Sequence, residues 1–291
     1  QAIVYNCPPK KRYLLDPMTK KHRGLKANTL PRTLSVSLAG IRAGGALAVD
    51  SMVQRVMGRG NVDEDSGFAR REASHFVKEL GKLKGTYIKI GQMMALFGEH
   101  FLPRVLVDAL RDLSDQTEPL HWDALESSVR DSLGQRYGEL DIDREAIAAA
   151  SLAQVHLARV RATGDWICLK IQYPGLSQVI DADFDAVVRM LLLARWVKAG
   201  RELDDWLESM RSHLHNEIDY RREARYTERV GALVTGLDDT AVAYRVPRLC
   251  RDYCTDAVLA MEYIEGLPVS DPAVAGLSQE RRNALARGML E

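Results

Sequence analysis

Cysteine is scarce in this chain: four thiols, Cys7, Cys168, Cys250 and Cys254, in 291 residues, too few for a dense disulfide framework. A reducing compartment is the expectation. Aromatic residues make up only 7%, and the basic N-terminal stretch holds just Tyr5 and Tyr13, poor material for stacking bases, so no nucleic acid partner is expected. Uncharged runs are short as well. None approaches the roughly 18 residues of a membrane-spanning helix, because Arg42 and Asp50 interrupt the most apolar candidate. No short apolar core with a small-residue cleavage site is found, so a secreted precursor is not the expectation. With Gln1 at its start and a helix-like run from Ser278 to Glu291 without a capping signal, the chain reads as a fragment. Internal repeats and low-complexity tracts are missing too.

What is present is an apolar share of 46%, enough to fill a core of ordinary size. Net charge is zero, 40 basic against 40 acidic residues, but the balance is uneven. Residues 1–60 hold eleven Lys or Arg and only Asp16 and Asp50, leaving 29 basic and 38 acidic residues to the rest. The first 28 residues combine Pro8, Pro9, Pro17 and Gly24 with Lys10-Lys11-Arg12 and Lys20-Lys21-His22-Arg23, an extended basic arm. Between Leu30 and Gly58 an apolar stripe alternates with small residues. It is either a helix packed on the rest of the domain or a membrane-surface element suited, with the arm, to anionic lipid.

Helical periodicity runs from Phe68 to Ala95, with Gly81, Gly85 and Gly91 inside it. Each glycine costs about 1 kcal/mol relative to Ala, so three together predict a close backbone approach or a local break. A second helix opens at Pro103 and a third spans Trp122 to Leu133, stopping at Gly134. Near residue 150 the period changes to two. Gln154–Val160 and Trp166–Tyr173 alternate around Thr163-Gly164-Asp165, which predicts an antiparallel hairpin. Helices are predicted over Asp181–Ala199 and Leu203–Val230, then short strands over Tyr244–Leu249 and Ala257–Tyr263.

The second hairpin strand, Trp166-Ile167-Cys168-Leu169-Lys170-Ile171, puts Trp166, Cys168 and Lys170 on one face. A strand lysine of this kind grips ATP phosphates in kinase-like folds, although lysines on exposed strand faces are common. Two features strengthen the reading: the alanine-rich stretch Ala148-Ala149-Ala150-Ser151-Leu152-Ala153-Gln154-Val155 lies where a phosphate loop would, and a helix with Glu217, Asp219 and Glu223 follows. Loop, strand lysine and helix glutamate stand in the order a kinase small lobe needs.

These residues, together with Thr86-Tyr87-Ile88-Lys89-Ile90-Gly91-Gln92, Leu169 to Gly175, Glu217-Ile218-Asp219-Tyr220 and Met261-Glu262-Tyr263, resemble the UbiB-type (AarF/ABC1) atypical kinase-like family and its K-x-G-Q signature. The resemblance spans roughly residues 68–270 with its motifs in family order. It implies an α+β fold: a protein-kinase-like small lobe, an antiparallel sheet plus helices, with an N-terminal helical K-x-G-Q extension and the large lobe mostly absent. The implied division is a basic arm over 1–28, the extension over 29–134, the small lobe over 135–266 and the start of a large lobe over 267–291. The implied ligand is ATP or ADP with Mg. Lys170 would contact its phosphates with Glu223 as partner, and Glu217, with Asp219 beside it, would meet Lys89. Lys89 and Gln92 would occlude the route of a peptide substrate. Ala148, Ala149, Ala150, Ser151, Val155, Cys168, Met261, Glu262 and Tyr263 would line the nucleotide. The implied role is in ubiquinone biosynthesis, with a quinone or isoprenoid lipid and quinone-biosynthesis proteins as partners, cytoplasmic and peripheral to a bacterial membrane, or mitochondrial in a eukaryote.

Two departures stand out. Cys168 replaces the small alanine usual in the family, and after Lys170 neither a His-x-Asp catalytic loop nor an Asp-Phe-Gly metal site appears. His121-Trp122-Asp123 has the letters but precedes the strand lysine and reads as a helix start. A non-catalytic pseudokinase or membrane-bound scaffold is therefore the rival reading. The pairs Cys250/Cys254 and His213/His215 lack zinc spacing, so no metal ligands are expected.

Overall fold

A computed structural model describes residues 67–83, 85–113, 118–194, 196–197, 202–235 and 242–290. The basic arm and the apolar stretch 30–58 lie outside the described residues.

The predicted helix over Phe68–Ala95 is two helices, α1 (Gly67–Leu83) and α2 (Thr86–Phe97). The break falls at Gly85, whose φ of 61° and ψ of −129° are open only to glycine at little cost. Gly91 answers the other half of the expectation. A Cβ there would stand 2.3 Å from Leu113 Cδ1 and 3.1 Å from Leu80 Cδ2, so its absence lets α2 lie close against its neighbours. Helix α3 (Arg104–Arg111) follows Pro103 as expected. A 3-10 turn over Trp122–Ala124 then leads into α4 (Glu126–Leu133).

Four strands form one antiparallel sheet in the order β1-β2-β3-β4. The expected hairpin is β2 (Ala153–Val160) and β3 (Trp166–Gln172), turning at Gly164 with φ 79°. The first strand, β1 (Leu140–Ala149), is not foreseen by the pattern because Asp141, Asp143, Arg144 and Glu145 mask its alternation. As an edge strand it tolerates those charges, and two register shifts against β2 twist it further from regular pairing. Strand β4 is Val258–Glu262, near the expected bounds. The other expected strand, Tyr244–Leu249, is irregular. It runs beside β4 through Glu262 N to Arg248 O at 2.8 Å and one bridge, Leu249 to Met261. Pro247 deprives it of a ladder donor.

Helix α5 is Leu176–Leu193. The long helix predicted from Leu203 to Val230 is instead α6 (Leu203–Ile218) and α7 (Tyr220–Thr235). Asp219, at φ −85° and ψ 86°, leaves the helical region, and its Oδ1 accepts the Arg222 backbone N–H at 2.8 Å. A short polar side chain that can satisfy the first free amides of a new helix stops the old one. Short α8 (Pro272–Ala275) and α9 (Gln279–Gly288) close the chain.

Apolar burial falls into two main clusters. The first gathers α1–α3 with α5 and α6 through Phe76, Leu80, Ile90, Met94, Phe184 and Leu214. The second lies on one face of the sheet, where Trp122, Leu125, Val129 and Leu133 cover Ala158, Ile167, Leu169, Ile171 and Ala260. The result is the expected α+β arrangement of an antiparallel sheet and helices.

Candidate functional site

Strand pairing sorts the candidate residues by face. Lys170 pairs with Val155 on one side and Leu259 on the other, Cys168 pairs with Met261, and Val155 with Ala148. Ala148, Val155, Cys168, Lys170 and Met261 therefore share the face opposite the Trp122 cluster. Glu262 pairs with Ile167 and belongs to the other face. Its carboxylate is held by Arg245 and by Arg248, whose backbone N–H donates to Oε2 at 3.3 Å. Desolvation opposes ionisation there, yet the two arginines hold that carboxyl below its ordinary range. Tyr263 donates its backbone N–H to Trp166 O at 3.4 Å, just beyond β4.

The alanine-rich stretch is not an open loop. Ala148 and Ala149 end β1, paired with Val155 and Gln154, and only Ala150 to Leu152 turn. The Ala150 N–H donates to Ala153 O at 2.8 Å, its carbonyl accepts from Tyr173 Oη at 3.0 Å, and Ser151 is buried at 5% exposure. The turn is pinned shut by the end of β3. Burial raises the Tyr173 phenol well above its ordinary range.

Lys170 reaches across the sheet face to α7, where its Nζ donates to both oxygens of Glu223 at 2.7 Å. About a third of each side chain stays exposed. A second pair joins Lys89 of α2 to Glu217 of α6, Nζ to Oε1 at 2.9 Å. The Asp219 break places the two glutamates on separate helices, Glu217 on α6 and Glu223 on α7. The break itself is held from the sheet: Gln172, next after Ile171 on β3, donates its side-chain N–H to Ile218 O. Asp219, expected beside Glu217 where that residue meets Lys89, spends one carboxylate oxygen on the α7 cap. Gln92 faces the end of α3, its Nε2 donating to Leu113 O at 3.5 Å.

Two contributors carry no assigned role in the sequence reading. Gln172 lies inside the quoted strand motif, but nothing in its spacing shows that it holds a carbonyl 46 positions away. Tyr220 lies under Lys170, with Nζ 5.0 Å from the ring centroid. Cys168 is half-buried beside this pair, and burial, with the neighbouring Cys250 thiol adding to it, pushes its thiol up to about 11. It packs as a neutral small side chain.

A nucleotide phosphate fits these residues, since an ammonium on a half-open face offers a donor to an anion. Magnesium does not find a ready set: among the described residues no group of three or more His, Cys, Asp or Glu side chains could hold a metal ion. No helix among them is long and apolar enough to cross a membrane.

Several known proteins are similar to this chain. The chain is 30% identical over 214 residues to atypical kinase COQ8, mitochondrial, of Saccharomyces cerevisiae, covering 73% of this chain and 41% of that protein. It is 34% identical over 206 residues to a probable protein kinase UbiB of Serratia proteamaculans, covering 67% and 35%. The chain thus spans about two fifths or less of these relatives. A solved complex of Rv3197 with erythromycin from Mycobacterium tuberculosis overlays at TM-score 0.46 and 24% identity, covering 80% of this chain and 55% of that one. The family model of the ABC1 atypical kinase-like domain matches residues 112–291, the stretch that holds Lys170, Glu217 and Glu223, and this chain belongs to that family.

Proposed function

We propose that this chain forms the nucleotide-binding small lobe of an atypical kinase-like ATPase or kinase that supports quinone-lipid handling at a membrane. The observation that carries the reading is the Lys170–Glu223 pair, two bonds of 2.7 Å on the half-exposed sheet face. The carboxylate takes up one side of the ammonium, with both oxygens at 2.7 Å from Nζ. An N–H directed away from it is left for a phosphate oxygen of ATP or ADP, and Glu223 keeps the chain from swinging away. The Lys89–Glu217 pair supports a K-x-G-Q extension bound over the same lobe. Similarity to proteins named COQ8 and UbiB supports a place in ubiquinone biosynthesis, with a quinone or isoprenoid lipid as the molecule handled. The basic arm over 1–28 would supply the contact with anionic lipid, at a bacterial or mitochondrial membrane.

Calorimetric titration of the full-length protein with Mg-ADP tests the central point. Lys170→Ala should abolish binding; undiminished binding would sink the assignment. Binding by the wild type with no ATP turnover and no transfer would make the protein a nucleotide-holding scaffold instead. Flotation with anionic vesicles should weaken with salt and on removal of residues 1–28.

A further inference from the structure

Tyr220 stands where the two ion pairs converge. It is the first residue of α7, directly after the Asp219 break, and is 2% exposed. It packs with Ala224 against Leu259, the strand partner of Lys170. The Lys170 ammonium lies 5.0 Å from its ring centroid while bonding Glu223. The phenolic oxygen is buried with no hydrogen-bond partner among the described residues. Burial, then the charges of Glu223, Tyr173 and Glu217, hold that phenol neutral far above its ordinary range.

These facts separate the ring from the hydroxyl. A buried hydroxyl without a partner stabilises nothing and costs its own desolvation. A π face beneath a lysine ammonium, walled off from water on one side, attracts the cation. An ammonium held only by a flexible carboxylate can follow that carboxylate outward; one also drawn to a fixed ring cannot do so without loss. The ring is fixed, because Ala224 and Leu259 pack it from the side and the Asp219 cap sets the start of its helix.

We propose that Tyr220 is a positioning residue whose ring face holds the Lys170 ammonium in place against Glu223 and so sets how Lys170 meets an anionic ligand. The inference rests on the reading of Lys170 as a phosphate-binding group, and two separate readouts keep them apart. The first needs no nucleotide: the acetylation rate of Lys170 in the full-length protein, followed by mass spectrometry at one pH with the other lysines as internal standards. Tyr220→Phe should label at the wild-type rate and melt no lower than wild type. A ring-fluorinated phenylalanine at position 220, unchanged in shape but drained of π charge, should raise the Lys170 rate about two- to fivefold over Tyr220→Phe. Tyr220→Met should do the same. The second readout is Mg-ADP affinity, which should fall by a similar factor in the fluorinated and Met variants and be unchanged in Tyr220→Phe. Equal labelling rates for the Phe and fluorinated variants would overturn the role of the ring. So would faster labelling in Tyr220→Phe, which would give the hydroxyl the work. A wild type that binds no Mg-ADP defeats the nucleotide reading alone, since the labelling result still decides for or against Tyr220.

Discussion

The two faces of the sheet are built on opposite terms. One is closed: Ile167, Leu169, Ile171 and Ala260 are at most 3% exposed beneath Trp122 and α4. Even its polar members are satisfied. Gln154 Oε1 accepts the Leu120 N–H at 2.8 Å, and Gln154 Nε2 donates to Leu120 O at 3.2 Å and to His156 Nε2 at 2.8 Å. His156 Nδ1 meets Asp143 O at 2.8 Å, and since a carbonyl only accepts, the proton must sit on Nδ1 and Nε2 must accept from Gln154. The other face carries a half-exposed lysine pair, a half-buried thiol and a hydroxyl without a partner among the described residues. A face that spends its polar groups on itself has none left for a ligand. The one that leaves them partly unspent is where binding can occur, at some cost in stability.

The largest test of that contrast is Leu169→Ala. Leu169 is fully buried in the closed face, so truncation should cost about 2–5 kcal/mol by transfer and cavity terms. Urea unfolding of the variant checks it, and a cost below about 1 kcal/mol would mean the closed face is loosely packed. Next in size is Gln154→Leu. It removes the partner of the half-buried Leu120 N–H and carbonyl and strands the His156 acceptor inside the protein, for about 1–3 kcal/mol. On the open face the corresponding removal, Tyr220→Phe, strands nothing and should cost nothing. Should both variants lose the same stability, the contrast between the faces fails.

A pH dependence sharpens it further. Burial lowers His156 below its ordinary value of 6.5, with the Asp143 carbonyl opposing the shift. The unfolded chain then binds the proton that the folded chain refuses. Stability from this group is therefore full above about pH 6.5 and is lost as pH falls toward the folded-state value. Protonation would also set an Nε2–H against the Gln154 amide donor. Unfolding free energies between pH 7.5 and 5, with an NMR titration of the His156 ring, check the sign. A ring that titrates above 6.5 would contradict it.

How much of this was legible in sequence depends on the range over which each feature is decided. The β2–β3 hairpin was legible because alternation and the Gly164 turn are local. The strand lysine and a helix carboxylate to partner it were legible from motif order, whereas the choice of Glu223 and the pairing of Lys89 with Glu217 came only from the family resemblance. The break at Asp219 was not. Capping residues also occur inside helices, and what fixes this one includes Gln172 holding Ile218 O from another element. Strand β1 was hidden because its charges are tolerable only on an edge, and being an edge is a property of the whole sheet. Nor could the alanine-rich stretch be seen as closed, since Tyr173, which pins it, lies 23 positions on. The role of Tyr220 was invisible for the same reason: a tyrosine one residue past a cap has no local sign that a lysine will lie over its ring.

The smallest expected effect concerns Lys89 and Glu217, and it asks whether the ion pairs of the open side stabilise the fold or only arrange it. Glu217 is 48% exposed and Lys89 22%, so water screens their attraction and both side chains lose freedom on pairing. A double-mutant cycle with Lys89→Met and Glu217→Gln should give a coupling of about 1 kcal/mol or less, shrinking further in high salt. The helices it joins already share Ile90, Met94 and Leu214 in one apolar cluster, which holds them together without the charges. The expected contribution of the pair is direction: it biases the rotation of α6 just before a break that Gln172 and the Asp219 cap already hold, and so the aim of Glu223. Lys89→Met should therefore leave the unfolding midpoint nearly unchanged while altering the acetylation rate of Lys170. A large loss of stability with Lys170 unaffected would reverse that order and make the pair a brace for the fold.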